Sequence, residues 1–131
     1  MFLAASAMIA MIAEEDDGPE LAARLELAKR SHTSAIAVYE AVLGLTHSRR
    51  LSIAEAENAV DQFLGRTGTE TIPITAEVAR EAIRAFERYG RGRHPAQLNM
   101  GDCFAYACAR ALGVPLLYKG DDFSRTDIAA G

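Results

Sequence analysis

The stretch Asn99–Phe123, NMGDCFAYACARALGVPLLYKGDDF, decides the fold of this chain. It predicts a helix over Asp102–Leu112, which begins with a carboxylate favoured by the helix dipole and ends at Gly113. The apolar run Val114–Tyr118 predicts a short buried strand, and Asp121–Asp122 follows it. Because the chain reverses between this helix and this strand, the acids at both ends meet at one edge of a sheet. An apolar core does not require acids there, so the pattern indicates a metal-binding site.

Composition and charge favour a single domain over residues 1–131, half apolar and about a quarter charged. The net charge of −4 argues against a protein that coats nucleic acid by bulk electrostatics, although a local basic patch remains compatible with it. The apolar segment Met1–Ala13 has no Lys or Arg and is too short to cross a bilayer. Cys103 and Cys108 lie on one predicted helix at a spacing that does not allow a disulfide. We therefore expect buried thiols and a cytoplasmic protein that does not bind membranes.

Helix and strand signals alternate along the rest of the chain, which predicts an α/β layered domain with a mainly parallel sheet. In the helix predicted over Ala35–Leu45, the apolar side is expected to consist of Ile36, Tyr39, Val42 and Leu43. The other predicted elements are a strand at Met1–Ala5, a helix at Ala7–Ala13 with Ser6 as N-cap, a helix at Pro19–Lys29, a helix that the Ser52–Glu55 capping box starts and Gly65 stops, a strand at Thr69–Ile74 and a helix that Thr75 caps and that ends at Tyr89.

Four acidic residues are candidates for chemistry: Glu40, Asp102, Asp121 and Asp122. Each has a simpler explanation, since Glu40 can belong to a solvated helix face, Asp102 can serve the helix dipole and the Asp pair can form a turn. Together they fit better as a site, because ligands of parallel α/β sheets collect beyond the carboxyl ends of the strands. Carboxylates converging there suit Mg²⁺ or Mn²⁺.

A basic concentration precedes the acidic helix, and it consists of Arg84, Arg88, Arg91, Arg93 and His94. It is either a solvated helix face and loop or a set of phosphate contacts that bring a negatively charged substrate to the acidic pocket. The loop has no interleaved aromatic residues, so the sequence predicts no base stacking there.

Three groups of residues resemble a known family. They are the first hydrophobic strand running into Ala5-Ser6-Ala7, Thr33-Ser34 followed by Glu40, and the motifs Asn99-x-Gly101-Asp102-Cys103-Phe104-Ala105-Tyr106-Ala107 and Leu116-Leu117-Tyr118-Lys119-Gly120-Asp121-Asp122-Phe123-Ser124-x-Thr126-Asp127. Over nearly its whole length the chain resembles the PIN-domain ribonucleases, specifically the VapC-type toxins of bacterial toxin–antitoxin pairs. The resemblance implies a three-layer α/β/α fold and a Mg²⁺- or Mn²⁺-dependent endoribonuclease.

The resemblance also implies the site. The metal-binding acids of the family fall on Glu40, on Asp102 and on the pair Asp121/Asp122, with Ser6 and Thr33 as hydrogen-bonding support. The first acid of the family belongs at position 4, where this chain has Ala4. Either a degenerate copy has lost the ligand, or Asp was replaced deliberately to silence a toxic nuclease. Because a methyl group cannot coordinate a cation, we expect impaired catalysis in both cases.

The partners implied by the resemblance are RNA, a cognate VapB-type antitoxin whose tail covers the active-site groove, and a second copy of the chain. We therefore expect a homodimer that forms a heterotetramer or larger assembly with antitoxin. The apolar faces of Leu21–Lys29 and Ile53–Leu64 are candidate partner surfaces, although core packing explains them equally well. Two alternatives to the nuclease are a non-catalytic module that binds antitoxin or RNA and, less favoured, a phosphatase-like enzyme.

Overall fold

A computed structural model describes residues 1–131 of the chain. Helices and short strands alternate from the first residues onward. The strands are β1 (Phe2–Leu3), β2 (His32–Ser34), β3 (Glu70–Ile72) and β4 (Leu116–Leu117). The helices are α1 (Ala5–Ile12), α2 (Gly18–Leu27), α3 (Ala35–Arg49), α4 (Ile53–Thr67), α5 (Ala76–Tyr89) and α6 (Met100–Leu112), and a short 3-10 helix spans Phe123–Arg125.

The four strands form one parallel sheet in the order β3-β2-β1-β4. In β1, Phe2 pairs with His32 on one side and with Leu116 on the other. Successive side chains of a strand point to opposite faces, so Phe2 and Leu3 enter different cores. One core contains α5 and α6, and the other contains α1, α2, α3 and α4. The fold is therefore the three-layer α/β/α arrangement with a parallel sheet that the sequence predicts.

Several predicted helix ends are confirmed by their capping bonds. Ser52 accepts a hydrogen bond from the amide of Glu55, and the Glu55 side chain accepts one from the amide of Ser52. Thr75 caps α5 by accepting from the amide of Val78. Gly113 ends α6 in the left-handed conformation with a φ of 67°, which glycine adopts without steric cost.

Several predicted helix ends are wrong: the helix predicted over Ala35–Leu45 continues to Arg49, and neither Ser6 nor Gly65 has its predicted role. Ser6 is not an N-cap: Ala4 holds that position without a side-chain bond, and Ser6 lies inside α1. Its hydroxyl instead accepts a hydrogen bond of 3.0 Å from the backbone amide of Lys119, a partner 113 positions away. Gly65 does not stop α4, which continues to Thr67 and ends at Gly68 with a φ of 65°. A left-handed terminal residue favours glycine, but a helical glycine does not by itself end a helix.

The buried face of α3 also differs from the prediction. Ala37, Ala41 and Leu45 are buried, whereas Tyr39 and Leu43 are exposed to 66% and 43%. Small side chains at every fourth position let α3 pack closely against its neighbours, and the larger residues remain outside. On the predicted partner faces of α2 and α4 the large apolar residues mostly enter the core, and the exposed large ones are Leu27 and Ile53.

Cys103 and Cys108 are free, buried thiols, as predicted. Burial raises the pKa of each to about 11, so both are protonated at neutral pH. None of the helices combines the length and the apolar character of a membrane span.

Candidate metal centre

Glu40 reaches the candidate site from the second turn of α3. Its half-buried carboxylate lies directly against Gly101 in the first turn of α6: a β-carbon built on Gly101 would fall well under 3.0 Å from Oε2 of Glu40. Burial raises the pKa of Glu40 above its ordinary value, and the negative charge of Asp102 raises it further. The structure thus brings a carboxylate from α3 beside the start of α6, as the sequence predicts.

Asp102 is held by a reciprocal capping box at the start of α6. The amide of Asp102 donates to Oδ1 of Asn99 at 2.9 Å, and the amide of Asn99 donates to Oδ2 of Asp102 at 3.1 Å. The helix therefore begins at Met100, and Asp102 is its third residue rather than its first. Burial raises the pKa of Asp102, the hydrogen bond from Asn99 and the charge of Arg91 oppose this, and the charge of Asp122 adds to it.

Of the pair Asp121 and Asp122, the charge of Asp122 contributes to the raised pKa of Asp102. Both side chains are exposed, and Asp122 directly precedes the short 3-10 helix. The backbone carbonyl of Asp121 accepts from the hydroxyl of Ser124 at 2.6 Å, which fixes the turn that carries the pair. Glu40, Asp102 and Asp122 thus form one electrostatically coupled set from three separate elements.

Ala4 lies at the carboxyl end of β1, where it is buried and caps α1 without a side-chain bond. The two predicted supporting hydroxyl groups hold backbone nearby. Thr33 is fully buried and donates a hydrogen bond of 3.0 Å to the carbonyl of Leu3. Ser6 accepts from Lys119, so it ties α1 to the segment that leads to Asp122.

The donor set fits a hard divalent cation, because carboxylate oxygens are the ligands that Mg²⁺ and Mn²⁺ prefer. The pocket that Gly101 leaves for Glu40 adds a second element of fit. However, no three His, Cys, Asp or Glu side chains are arranged to hold one ion together. Position 4, at the carboxyl end of β1, adds no carboxylate to the set, because it is Ala.

The three basic residues proposed for RNA differ in their surroundings. Arg91 lies close enough to Asp102 to lower its pKa. The guanidinium of Arg93 stands 5.5 Å from the ring centre of Phe86. His94 packs edge-on against Tyr89 at 5.1 Å, and its Nδ1 accepts a hydrogen bond from the amide of Ala96. Of the three, Arg91 is therefore the one whose charge reaches the acidic site, and His94 serves the structure of the loop.

Two other basic residues of this region form ion pairs on the surface. Arg84 pairs with Glu81 at 3.2 Å, and Arg88 pairs with Asp127 at 3.6 Å. The same Asp127 accepts hydrogen bonds from the hydroxyl of Tyr106 at 2.5 Å and from Arg110 at 3.3 Å. These contacts secure the C-terminal segment against α6. They give Arg88 a structural role that does not involve nucleic acid.

An apolar groove of about 380 Å³ lies between α5 and α6, directly beside the acidic site. Its seven lining residues are all hydrophobic: Ala79, Ala82, Ile83, Phe86, Met100, Cys103 and Phe104. Ile83 and Met100 are exposed to 67% and 68%. Met100 and Cys103 flank Asp102 in the chain, and the charge of Asp102 acts on the Cys103 thiol, so the groove begins near this carboxylate. The sequence reasoning missed this groove.

Two contributors to the site are absent from the sequence predictions. The first is Gly101, whose missing side chain makes room for Glu40. The second is Lys119, which donates from its Nζ to Glu15 at 2.8 Å and lies 3.5 Å from Asp17, while its amide holds Ser6. Both residues contact residues that are distant in the sequence. They stand in the family motifs, but the sequence predicted no role for either.

The fold and the coupled acids together define a class of protein. The PIN domain family matches residues 1–129 of the chain. The chain belongs to this family.

Within the family, the chain is similar to VapC ribonucleases over nearly its full length. One, from Rhizobium meliloti strain 1021, is 37% identical across 97% of this chain and 98% of its own length. Ribonuclease VapC30 of Mycobacterium tuberculosis strain H37Rv is 36% identical across 98% of this chain and 96% of its own. The resemblance to VapC-type proteins that the sequence motifs indicate is therefore confirmed.

Two solved structures share the fold. VapC20 of Mycobacterium tuberculosis, described as a toxin that cleaves the sarcin-ricin loop, superposes with a TM-score of 0.77 at 20% identity, covering 99% of this chain and 97% of its own. A toxin–antitoxin complex from Klebsiella pneumoniae gives a TM-score of 0.73 at 15% identity, with coverages of 99% and 95%. At these identities the likeness shows the fold alone.

Proposed function

We propose that this chain has the architecture of a metal-dependent endoribonuclease toxin and that Ala4 impairs its catalysis. The observation that carries the proposal is the coupling of Glu40, Asp102 and Asp122, which come from α3, α6 and the segment after β4. Burial and a neighbouring carboxylate raise the pKa of Glu40 and of Asp102, which costs folding free energy, and such a cost is typical of a functional site. Membership of the PIN domain family and the similarity to VapC ribonucleases support the same conclusion.

Glu40, Asp102 and Asp122 would hold one Mg²⁺ or Mn²⁺. Asp121 is the alternative to Asp122 as a ligand. A bound ion of this kind activates water for attack and neutralises charge on the phosphodiester. Ser6, bonded to the amide of Lys119, holds the segment that carries Asp122. Asn99 fixes the orientation of the Asp102 carboxylate through the capping box.

Ala4 is the residue that limits this function. It stands at the carboxyl end of the central strand β1, the edge at which the acids gather. Its methyl group offers no oxygen to a cation, so one ligand of the set is missing, and a cation that would offset the repulsion among the other carboxylates would be held less tightly. Restoring Asp at position 4 and assaying RNA cleavage in Mg²⁺ and in Mn²⁺ tests the proposal, and an unchanged rate would contradict it.

RNA is the proposed substrate, and Arg91 is the residue proposed to receive its phosphate. The charge of Arg91 already acts on Asp102, so a phosphate bound to Arg91 lies near the carboxylates. Arg93 extends the positive charge along the same loop, and His94 shapes the loop. A chain with a net charge of −4 needs such a local patch to attract a polyanion.

A VapB-type antitoxin is the proposed protein partner, and the groove between α5 and α6 is its proposed docking surface. The groove is lined only by hydrophobic residues and adjoins the acidic cluster. A segment with apolar anchors followed by a basic side chain matches both halves of this surface. The solved toxin–antitoxin complex of the same fold supports the pairing. A homodimer, a heterotetramer or larger assembly with antitoxin, and a cytoplasmic location complete the proposal.

A second function is favoured by one observation. No three carboxylates are arranged to hold one ion, and position 4 supplies none. A non-catalytic module that binds antitoxin or RNA would show this arrangement too. The two functions differ in a metal titration: the nuclease predicts that Ala4→Asp recovers Mg²⁺ binding and cleavage together, and the binding module predicts that it recovers neither.

A further inference from the structure

Gly101 occupies an unusual place beside the acidic site. It is buried at the second position of α6, and a β-carbon built on it would lie well under 3.0 Å from Oε2, Oε1 and Cδ of Glu40. All three of these nearest atoms belong to the Glu40 carboxylate. The carboxylate therefore fills the volume that any other side chain at position 101 would need.

Backbone conformation does not explain this glycine. Gly101 is helical and is not among the residues with positive φ, unlike Gly113 at the other end of α6. A glycine inside a helix costs conformational entropy relative to alanine. Gly65 in α4 is a useful contrast, because an added β-carbon there would meet nothing within 4 Å. At position 101, the space taken by Glu40 is the physical reason for the glycine.

We propose that Gly101 is a positioning residue that keeps the Glu40 carboxylate against the first turn of α6, next to Asp102. The clash that a methyl group would cause involves the flexible end of a Glu side chain and not backbone. Rotation of that side chain relieves the clash at little cost to the fold. Gly101→Ala therefore leaves the protein folded and moves the carboxylate away from the site. The inference rests on the proposed function only where Glu40 is taken as a metal ligand.

The test compares Gly101→Ala with the control Gly65→Ala, both in the full chain carrying Ala4→Asp. Crystal structures of the two variants give the position of the Glu40 carboxylate, and titration with Mn²⁺ alone gives the affinity. In Gly101→Ala, we expect a displaced carboxylate, an unchanged or higher melting temperature and an affinity lower by about tenfold or more. In Gly65→Ala, we expect the carboxylate position and the affinity to stay unchanged.

A double-mutant cycle separates positioning from a general structural effect. If Gly101→Ala already removes Glu40 from the site, then adding Glu40→Ala lowers the Mn²⁺ affinity much less than Glu40→Ala does alone. Additive losses would overturn the inference, and so would a crystal structure of Gly101→Ala with the carboxylate in its original place. If the Ala4→Asp parent binds no Mn²⁺, the proposed metal site fails, and the crystal structures alone then decide the role of Gly101.

Discussion

The backbone amide of Lys119 donates a hydrogen bond of 3.0 Å to the hydroxyl of Ser6. This bond joins α1, which begins directly after Ala4, to the segment that carries Asp121 and Asp122. The Nζ of Lys119 continues the connection by binding Glu15. Ser6 and Lys119, which are not proposed metal ligands, thus hold α1 and the segment with Asp121 and Asp122 together.

Ser6→Ala removes this bond, and we expect it to lower the free energy of unfolding by about 1 kcal/mol, the usual net contribution of one hydrogen bond. Urea unfolding measures the change. Ser48→Ala is the matched control, because Ser48 is an exposed residue of α3 and undergoes the same gain in helix propensity. Equal stabilities of the two variants would mean that the bond contributes nothing.

Glu40→Gln is expected to change stability in a pH-dependent way. Burial first, and the charge of Asp102 second, raise the folded-state pKa of Glu40 above its ordinary value of 4.5. A raised carboxyl pKa contributes stability that is present below the ordinary value and is lost as the pH rises through the folded value. At pH 7, the Gln variant should therefore be more stable than the parent, and the difference should close as the pH falls below 4.5.

Thermal unfolding from about pH 3.5 to about pH 7.5 measures this difference, since the range spans both sides of the ordinary carboxyl pKa. Glu57→Gln, at an exposed position of α4, controls for the substitution itself. A stability gain for Glu40→Gln that does not vary with pH would show that the buried charge is not its cause.

Arg91→Glu is expected to weaken RNA binding. Because Arg91 lies within electrostatic range of Asp102, its reversal would remove the phosphate contact proposed at the site. For a single strand, each lost contact reduces the slope of log affinity against log salt by about 0.7. Fluorescence anisotropy with a labelled RNA over a salt series, in EDTA, measures binding without cleavage.

Arg66→Glu is the control for net charge, since Arg66 is exposed at the end of α4 that leads into β3, at the opposite edge of the sheet. If both reversals weaken binding equally, the effect comes from overall charge and Arg91 has no specific role.

Ile83→Glu is expected to abolish or strongly weaken antitoxin binding, because it places a charge in the apolar groove beside the acidic site. Ile53→Glu provides a closely matched control: Ile53 is exposed to 66% and Ile83 to 67%, but Ile53 lies on α4, outside the groove. Calorimetric titration with the cognate antitoxin compares the two variants. A larger loss for Ile53→Glu would move the docking surface to α4.

Local signals in the sequence predict the fold correctly, whereas the roles of Glu40, Asp102 and Asp122 stay predictions. The alternation of elements predicts the layered sheet, and Ser52, Thr75 and Gly113 mark their helix ends by residue chemistry. The sequence could not predict which face of α3 is buried. Apolar residues occupy almost every position of this helix, so two different sets of apolar residues fit the helical period equally well. Only the packing decides that Ala37 faces the core and Tyr39 faces solvent.

Local sequence patterns could not predict the contacts around the acidic residues either. A serine near the start of a helix predicts an N-cap, but the hydroxyl of Ser6 instead accepts a hydrogen bond from the amide of Lys119, 113 positions away. The need for glycine at position 101 depends on a side chain from a different helix. Such relationships exist only once the sheet has brought distant segments together.

We propose that Ala4 leaves the ribonuclease site without one of its metal ligands. The most direct measurement is the rate of RNA cleavage by this chain and by its Ala4→Asp variant, in Mg²⁺ and in Mn²⁺, with Asp102→Asn added to the variant as a negative control. We expect Ala4→Asp to cleave on the order of 10²-fold faster or more, as the loss of one charge-stabilising group typically costs that much, and Asp102→Asn to remove the gain. Equal cleavage by this chain and by its Ala4→Asp variant would contradict the claim.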